Sequence, residues 1–379
     1  MTSALLPTSR EFSSVQEKHQ ATLSGVHLLH VVGPVTDEVF SFLGPATRAL
    51  ANNGHSQQIV VIDAPQYRHN VEKFDEYASV IRIANASNRV GEWLNVFKAC
   101  KIELRKDGLG AVHVHGLLPF LLVSIGLRSA NVQAPVVYSP HGSRSLGTMR
   151  FVGKLAMLAV HSATRHGQRS AIVTVPREGS AFEKWEATAI IENPVADIFF
   201  STSRREAEKP LIVTGGRHSD VRSVELFSQL AVLLSGEELG LEFYWIGTVP
   251  AVAQRRLQVA NVSVSSIADD HDCAASLAAG WMYVAPWSTR GFPLFLVQAM
   301  AAGLPCVALD CEQHRDVIEN GKTGFLCTSE QEMVTKIATL VDNPVLRLEM
   351  GAAAKALAAI RFSESTFEDK LMTAYSTRW

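Results

Sequence analysis

An α/β protein made of two doubly wound parallel sheets in tandem is the fold the sequence predicts, and three observations predict it. Short, almost continuous apolar strands alternate with segments whose apolar residues recur at helical spacing, the pattern of parallel sheets covered on both faces. The alternation breaks once, at the charged stretch 201–210 (STSRREAEKP), and then restarts. The 379 residues suffice for two separate cores.

The elements follow in chain order. Residues 1–25, polar and mixed in charge, read as a flexible leader with no signal peptide. A strand at 26–32 stops at Gly33-Pro34, a helix at 40–53 closes at Gly54-His55, and 59–62 is the next strand. A helix at 90–106, a strand at 111–115, a helix at 117–129 and strands at 136–139 and 171–175 complete a first domain, 26–200. Residues 201–210 are the linker. The second domain, 211–362, opens with a strand at 211–214, a helix at 224–235, a strand at 242–246, a helix at 274–279 and a strand at 282–285. A helix at 294–302 and a strand at 306–309 follow, then helices at 330–341 and 346–359.

Composition narrows the function classes. A net charge of −2 gives no global argument for nucleic-acid binding. The five cysteines are odd in number and lack a paired C-x-x-C spacing, so neither a zinc site nor a disulfide framework is signalled; a reducing cytoplasm suits them. The longest apolar run, 117–127, has about 11 residues against the roughly 20 needed to span a bilayer. Residues 143–177 contain no acidic side chain but hold Arg144, Arg150, Lys154, Arg165, Arg169 and Arg177. Basic and apolar residues so interspersed fit either an anionic membrane surface or a core helix with solvated cations.

Residues 288–327 (STRGFPLFLVQAMAAGLPCVALDCEQHRDVIENGKTGFLC) carry the most chemistry. Gly291-Phe292-Pro293 leads into a helix that begins at Leu294 and stops at Gly303, and a strand follows. A loop feeding a helix N-terminus aims backbone N–H groups and the positive helix end at one spot, which suits a phosphate or sugar-phosphate.

This order of elements resembles the nucleotide-sugar half of retaining glycosyltransferases, family 4 in particular, and the resemblance implies a GT-B fold: two Rossmann-like domains facing a central cleft, with residues 363–379 forming a helix that crosses back to the first domain. It spans the chain from about residue 26 and is specific in the second half. Family members typically carry Glu-Gly-Phe-(Gly or Pro) with a second Glu eight positions on; this chain has Arg290 and Gln298 there. The resemblance places Gln298 at the ribose, and Phe292, Pro293 and Leu294 with their backbone at the sugar beside Gly291. Thr214-Gly215-Gly216-Arg217, with Arg222 five residues later, matches the family's Gly-Arg and Lys, whose cations hold the donor diphosphate. Arg290 can only donate, so it reads an acidic group, marks a site that no longer handles a donor sugar in the usual way, or faces solvent.

In the first half, His115-Gly116 and His141-Gly142 end two strands. The family shows a His-Gly at the position of His141, near donor sugar and acceptor; otherwise His141 caps the following loop. His115 and Ser143 are candidates for the acceptor side, and Gly33 would admit the diphosphate to the backbone. Asp269-Asp270-His271-Asp272 contains an Asp-x-Asp, but it precedes a helix, so N-capping explains it and no metal is expected. The resemblance thus implies a metal-independent, retaining transferase without a cofactor. Its partners would be a nucleotide sugar, UDP-linked by expectation, and a glycan or lipid-linked oligosaccharide, and its place the cytoplasm or the inner face of the membrane. The competing readings are a GT-B pseudoenzyme that binds a nucleotide, glycan or partner transferase, and a non-hydrolysing epimerase.

Overall fold

The structure, a computed structural model, describes residues 26–84, 88–130, 132, 134–141, 169–174, 185, 187–218, 221–236, 239–265, 269–288 and 291–376. Contacts divide the chain into two units: residues 1–191 with 368–379, and residues 192–367.

The first unit holds β1 (His27–Pro34), α1 (Asp37–Asn52), β2 (Ser56–Asp63), α2 (Arg68–Glu72), β3 (Ser79–Ala84), α3 (Arg89–Glu103), β4 (Leu109–His115), α4 (Leu117–Ala130), β5 (Val136–Ser139), β6 (Arg169–Val173) and β7 (Ala187–Ile190). The strands form one parallel sheet in the order β3-β2-β1-β4-β5-β6-β7, so the winding reverses between β1 and β4. Leu29, Val31, Val60, Val112, Val114 and Tyr138 meet the helices α3 and α4 through Val96, Cys100, Phe120 and Val123 on one face. The opposite face is different: His30, His113, His115 and Ser139 are polar and wholly buried there.

The second unit holds α5 (Asp197–Ser201), β8 (Leu211–His218), α6 (Val221–Ser235), β9 (Glu242–Thr248), α7 (Ala251–Val259), β10 (Val262–Ser265), α8 (Asp270–Ala278), β11 (Met282–Ala285), α9 (Leu294–Ala301), β12 (Cys306–Leu309), α10 (Glu312–Arg315), β13 (Gly324–Cys327), α11 (Glu330–Asp342) and α12 (Pro344–Phe362). Its sheet runs β10-β9-β8-β11-β12-β13 and reverses between β8 and β11. Apart from Gln298, α9 is apolar all round because it is enclosed: Leu296 through Ala301 are buried, the apolar ones among Val195, Phe199, Tyr283, Cys306 and Ala354.

The charged stretch 201–210 is anchored within the second unit. Arg204 donates to the carbonyls of Gly303 (2.5 Å) and Trp281 (2.9 Å) and to Glu206 (2.6 Å). Arg347, 3% exposed, donates to Glu206 and to the Leu340 carbonyl, with its guanidinium 3.8 Å over the Trp281 ring. The charges of the expected linker are therefore spent on backbone carbonyls and on one another within this unit. The last helix, α13 (Glu364–Ser376), gives residues 368–376 to the first unit, where Leu371 and Tyr375 are buried. Among the described residues, no helix is long and apolar enough to cross a membrane.

Candidate functional site

In open parallel sheets, ligands are met at the carboxyl ends of the strands where the winding reverses. In the second unit that place is the end of β8. Thr214 is buried and its hydroxyl donates to the Val284 carbonyl at 2.6 Å, which fixes β8 against β11. At Gly215 φ is 155°, and an added Cβ would overlap the Ile246 carbonyl on β9. The strand pairing slips between Gly215 and His218. Gly216 and the backbone of Arg217 form this irregularity inside β8, which pairs with β9 again at His218; the side chain of Arg217 lies outside the described residues. Arg222 is exposed on the first turn of α6.

Gly291 turns with φ 72°, and Pro293 precedes the helix α9. Phe292 packs edge-on against Phe362, ring centroids 5.6 Å apart. The N–H of Leu294 donates to the Phe292 carbonyl at 2.9 Å, so that amide is engaged within the loop. Gln298 is 6% exposed, one turn into the helix. Arg290 and Ser143 lie outside the described residues, as do residues 142–168 and 175–184, most of the basic segment 144–177.

In the first unit the reversal point between β1 and β4 carries a cluster of imidazoles. His30 pairs across the sheet with His113, and two residues on, His115 pairs with Ser139. Parallel strands put these side chains on one face in register. His30 Nδ1 is 3.3 Å from His115 Nε2, and His115 Nδ1 is 2.8 Å from His141 Nε2. His113 joins the Ser139 hydroxyl at 2.8 Å and the Tyr375 hydroxyl at 2.6 Å. His141 sits just past β5 in the left-handed region, φ 50°, with the edge of Phe42 against its ring. Burial lowers all four pKa values: His30 to about 4, His141 to about 3, His113 and His115 well below the ordinary imidazole range. All four are neutral at pH 7.

Three of these residues, His30, His113 and His115, place ligand-type nitrogens within 4.8 Å of one another. Their ring nitrogens are taken up by the hydrogen bonds above, except His30 Nε2, and among the described residues the group includes no carboxylate to balance a dication. Hydrogen bonding therefore describes the cluster better than metal ligation. At the Asp-x-Asp, the Asp269 carboxylate accepts from the Asp272 N–H at 3.0 Å and caps α8. At Gly33 an added Cβ would come within 3.1 Å of the Trp93 ring.

Residues 209–343 match the family model described as glycosyl transferases group 1. That span contains both the β8 turn and α9. This stretch of the chain is similar to group 1 glycosyltransferase domains. The match joins Gly216, Arg217 and Gln298 in one family frame and leaves the histidine cluster outside it. Among curated proteins, the chain is 35% identical over 112 residues to phosphatidyl-myo-inositol mannosyltransferase of Mycobacterium leprae, covering 29% of this chain and 30% of that protein. It is 28% identical over 158 residues to a sulfoquinovosyl transferase of Arabidopsis thaliana, covering 40% and 31%. These matches span about a third of those relatives' own length. Among solved structures, Anabaena HepE in complex with UDP and glucose superposes with a TM-score of 0.72 at 16% identity, covering 93% of this chain and 100% of that one. Sucrose-phosphate synthase of Thermosynechococcus elongatus gives 0.71 at 16% identity, covering 93% and 98%. At such identities the likeness concerns the fold, which is GT-B.

His30, Gln57 and Tyr375 did not stand out in the sequence. The available signal was a histidine in the middle of an apolar strand, HLLHVVGP, where every other central residue is aliphatic.

Proposed function

We propose that the chain is a retaining glycosyltransferase that moves a sugar from a nucleotide-sugar donor, a UDP-sugar, to a hydroxyl of a glycan or lipid-linked oligosaccharide, without a metal. The observation that carries this reading is the group 1 match over 209–343, which includes the Gly216-Arg217 turn. HepE, crystallised with UDP and glucose, supports uracil as the base.

The chemistry needs fixed positive charge where the leaving diphosphate develops its own. Arg217 and Arg222 supply it. Gln298 accepts from a ribose hydroxyl through its amide oxygen, and Arg290 donates to an acidic group of the donor sugar. Attack comes from the face the diphosphate leaves. The bond from the anomeric carbon to the phosphate oxygen breaks, the acceptor oxygen bonds to that carbon, and the departing phosphate takes the acceptor's proton. The basic, apolar segment 144–177 rests on the inner membrane surface and presents lipid-linked acceptors.

The test is release of nucleoside diphosphate by the purified chain with UDP-, GDP- and ADP-sugars and oligosaccharide acceptors. A UDP-sugar is expected to turn over, and Arg217→Ala to lower kcat by about 10²-fold or more. Release from none of the donors, or an Arg217→Ala enzyme as fast as the parent, would sink the reading.

A further inference from the structure

The imidazole chain in the first unit has a direction. Gln57 lies on β2, 5% exposed, and its amide nitrogen donates to the Thr47 carbonyl at 2.8 Å and the Tyr77 carbonyl at 3.4 Å. Two carbonyls can only be met by an NH₂ group, so the amide cannot be turned over, and its oxygen is left as an acceptor. That oxygen and His30 Nε2 are both buried and without a partner at full hydrogen-bond geometry. The register of β1 and β2 sets His30 opposite Ile59, so Gln57, two residues earlier on β2, is the diagonal neighbour of His30 on the same face of the sheet. Gln57 is the side chain that opposes the burial-driven fall of the His30 pKa, the sign expected of an acceptor facing an imidazole N–H.

The rest follows from counting protons. A neutral imidazole carries one N–H and one bare nitrogen. With its N–H at Nε2, towards Gln57, His30 is bare at Nδ1 and must accept from His115 Nε2 at 3.3 Å. His115 is then bare at Nδ1 and accepts from His141 Nε2 at 2.8 Å. His141 is thereby bare at Nδ1, an atom with no hydrogen-bond partner among the described residues. We propose that Gln57 is a positioning residue which, through His30 and His115, fixes His141 as an Nε2–H tautomer, so that His141 offers a ligand hydroxyl an acceptor and never a donor. The ligand class is a hydroxyl of the donor sugar or of the acceptor, and this part rests on the transferase reading above. The tautomer does not rest on it.

The experiment uses the full chain with ¹⁵N-labelled histidine and long-range proton–nitrogen correlation at pH 7, with the His141 signals assigned by their loss in His141→Gln. Expected are three neutral Nε2–H rings at His30, His115 and His141. In Gln57→Met a share of His141 as Nδ1–H is expected, with kcat/KM lowered about tenfold, the loss of one neutral hydrogen bond. A wild-type His141 protonated at Nδ1 overturns the proposal, as does an Nε2–H signal unchanged in a folded Gln57→Met chain. Stoichiometric zinc whose chelation rearranges these signals overturns it too, in favour of a metal centre. Should Gln57→Met fail to fold, the wild-type spectrum decides alone. Failure of the transferase reading would show separately, as a correct tautomer in a chain that turns over no donor.

Discussion

Gly215 bears on both stability and site. Its φ of 155° and the Ile246 carbonyl beside it leave no room for a side chain, because β8 and β9 close on each other there. The register shift that carries Gly216 and the backbone of Arg217 starts at this close approach. Gly215→Ala would have to push the strands apart, at a cost of about 2–3 kcal/mol. A loss of unfolding free energy of that size is expected from urea titrations; an unchanged value would mean that the strand end yields freely and does not hold the arginine.

At the scale of elements, the ends of β1, β4 and β5 set a pH dependence. His30 and His141 have pKa values lowered by burial, to about 4 and about 3, from 6.5. A base with a lowered folded pKa leaves the unfolded chain binding more protons below pH 6.5, so its contribution is complete above 6.5 and is lost as the pH falls towards 4 and then 3. For His30 alone the loss is on the order of 3 kcal/mol at full protonation. The unfolding midpoint should therefore fall between pH 6.5 and 5, less steeply in His30→Asn; equal slopes in both chains would refute the assignment. Elements such as β5, β11 and β12 were legible in the sequence because each is a short apolar run between turn residues. β3 and β10, at the sheet edges, were not, since SVIRIA and VSVS are half-exposed and short. Asp269 was legible as a cap, because capping needs only a local side chain and a nearby amide. The imidazole chain was not: its members are 85 and 26 residues apart, and only strand order brings them into one row.

For the whole molecule, residues 368–376 of the last helix count as part of the first unit. Tyr375 hydrogen-bonds His113 and Glu368 accepts from Asn53 at 2.7 Å, both across hundreds of residues of chain. Ending the chain after Phe367 should weaken the first unit and spare the second. Hydrogen exchange would show it as lost protection on β1 and β4, with β8 and β11 unchanged. Equal protection in both sheets would exclude a structural role for residues 368–376.

The ribosome delivers the first sheet's last strand about 180 residues before Tyr375, an interval of roughly 10–40 s. Over that time the second unit can be completed while the first waits for its cover. An aliphatic surface left open so long would invite aggregation. The row of His30, His113, His115 and Ser139 can instead be wetted until the helix arrives, so side chains that later carry a fixed pattern of protons also keep the nascent sheet soluble.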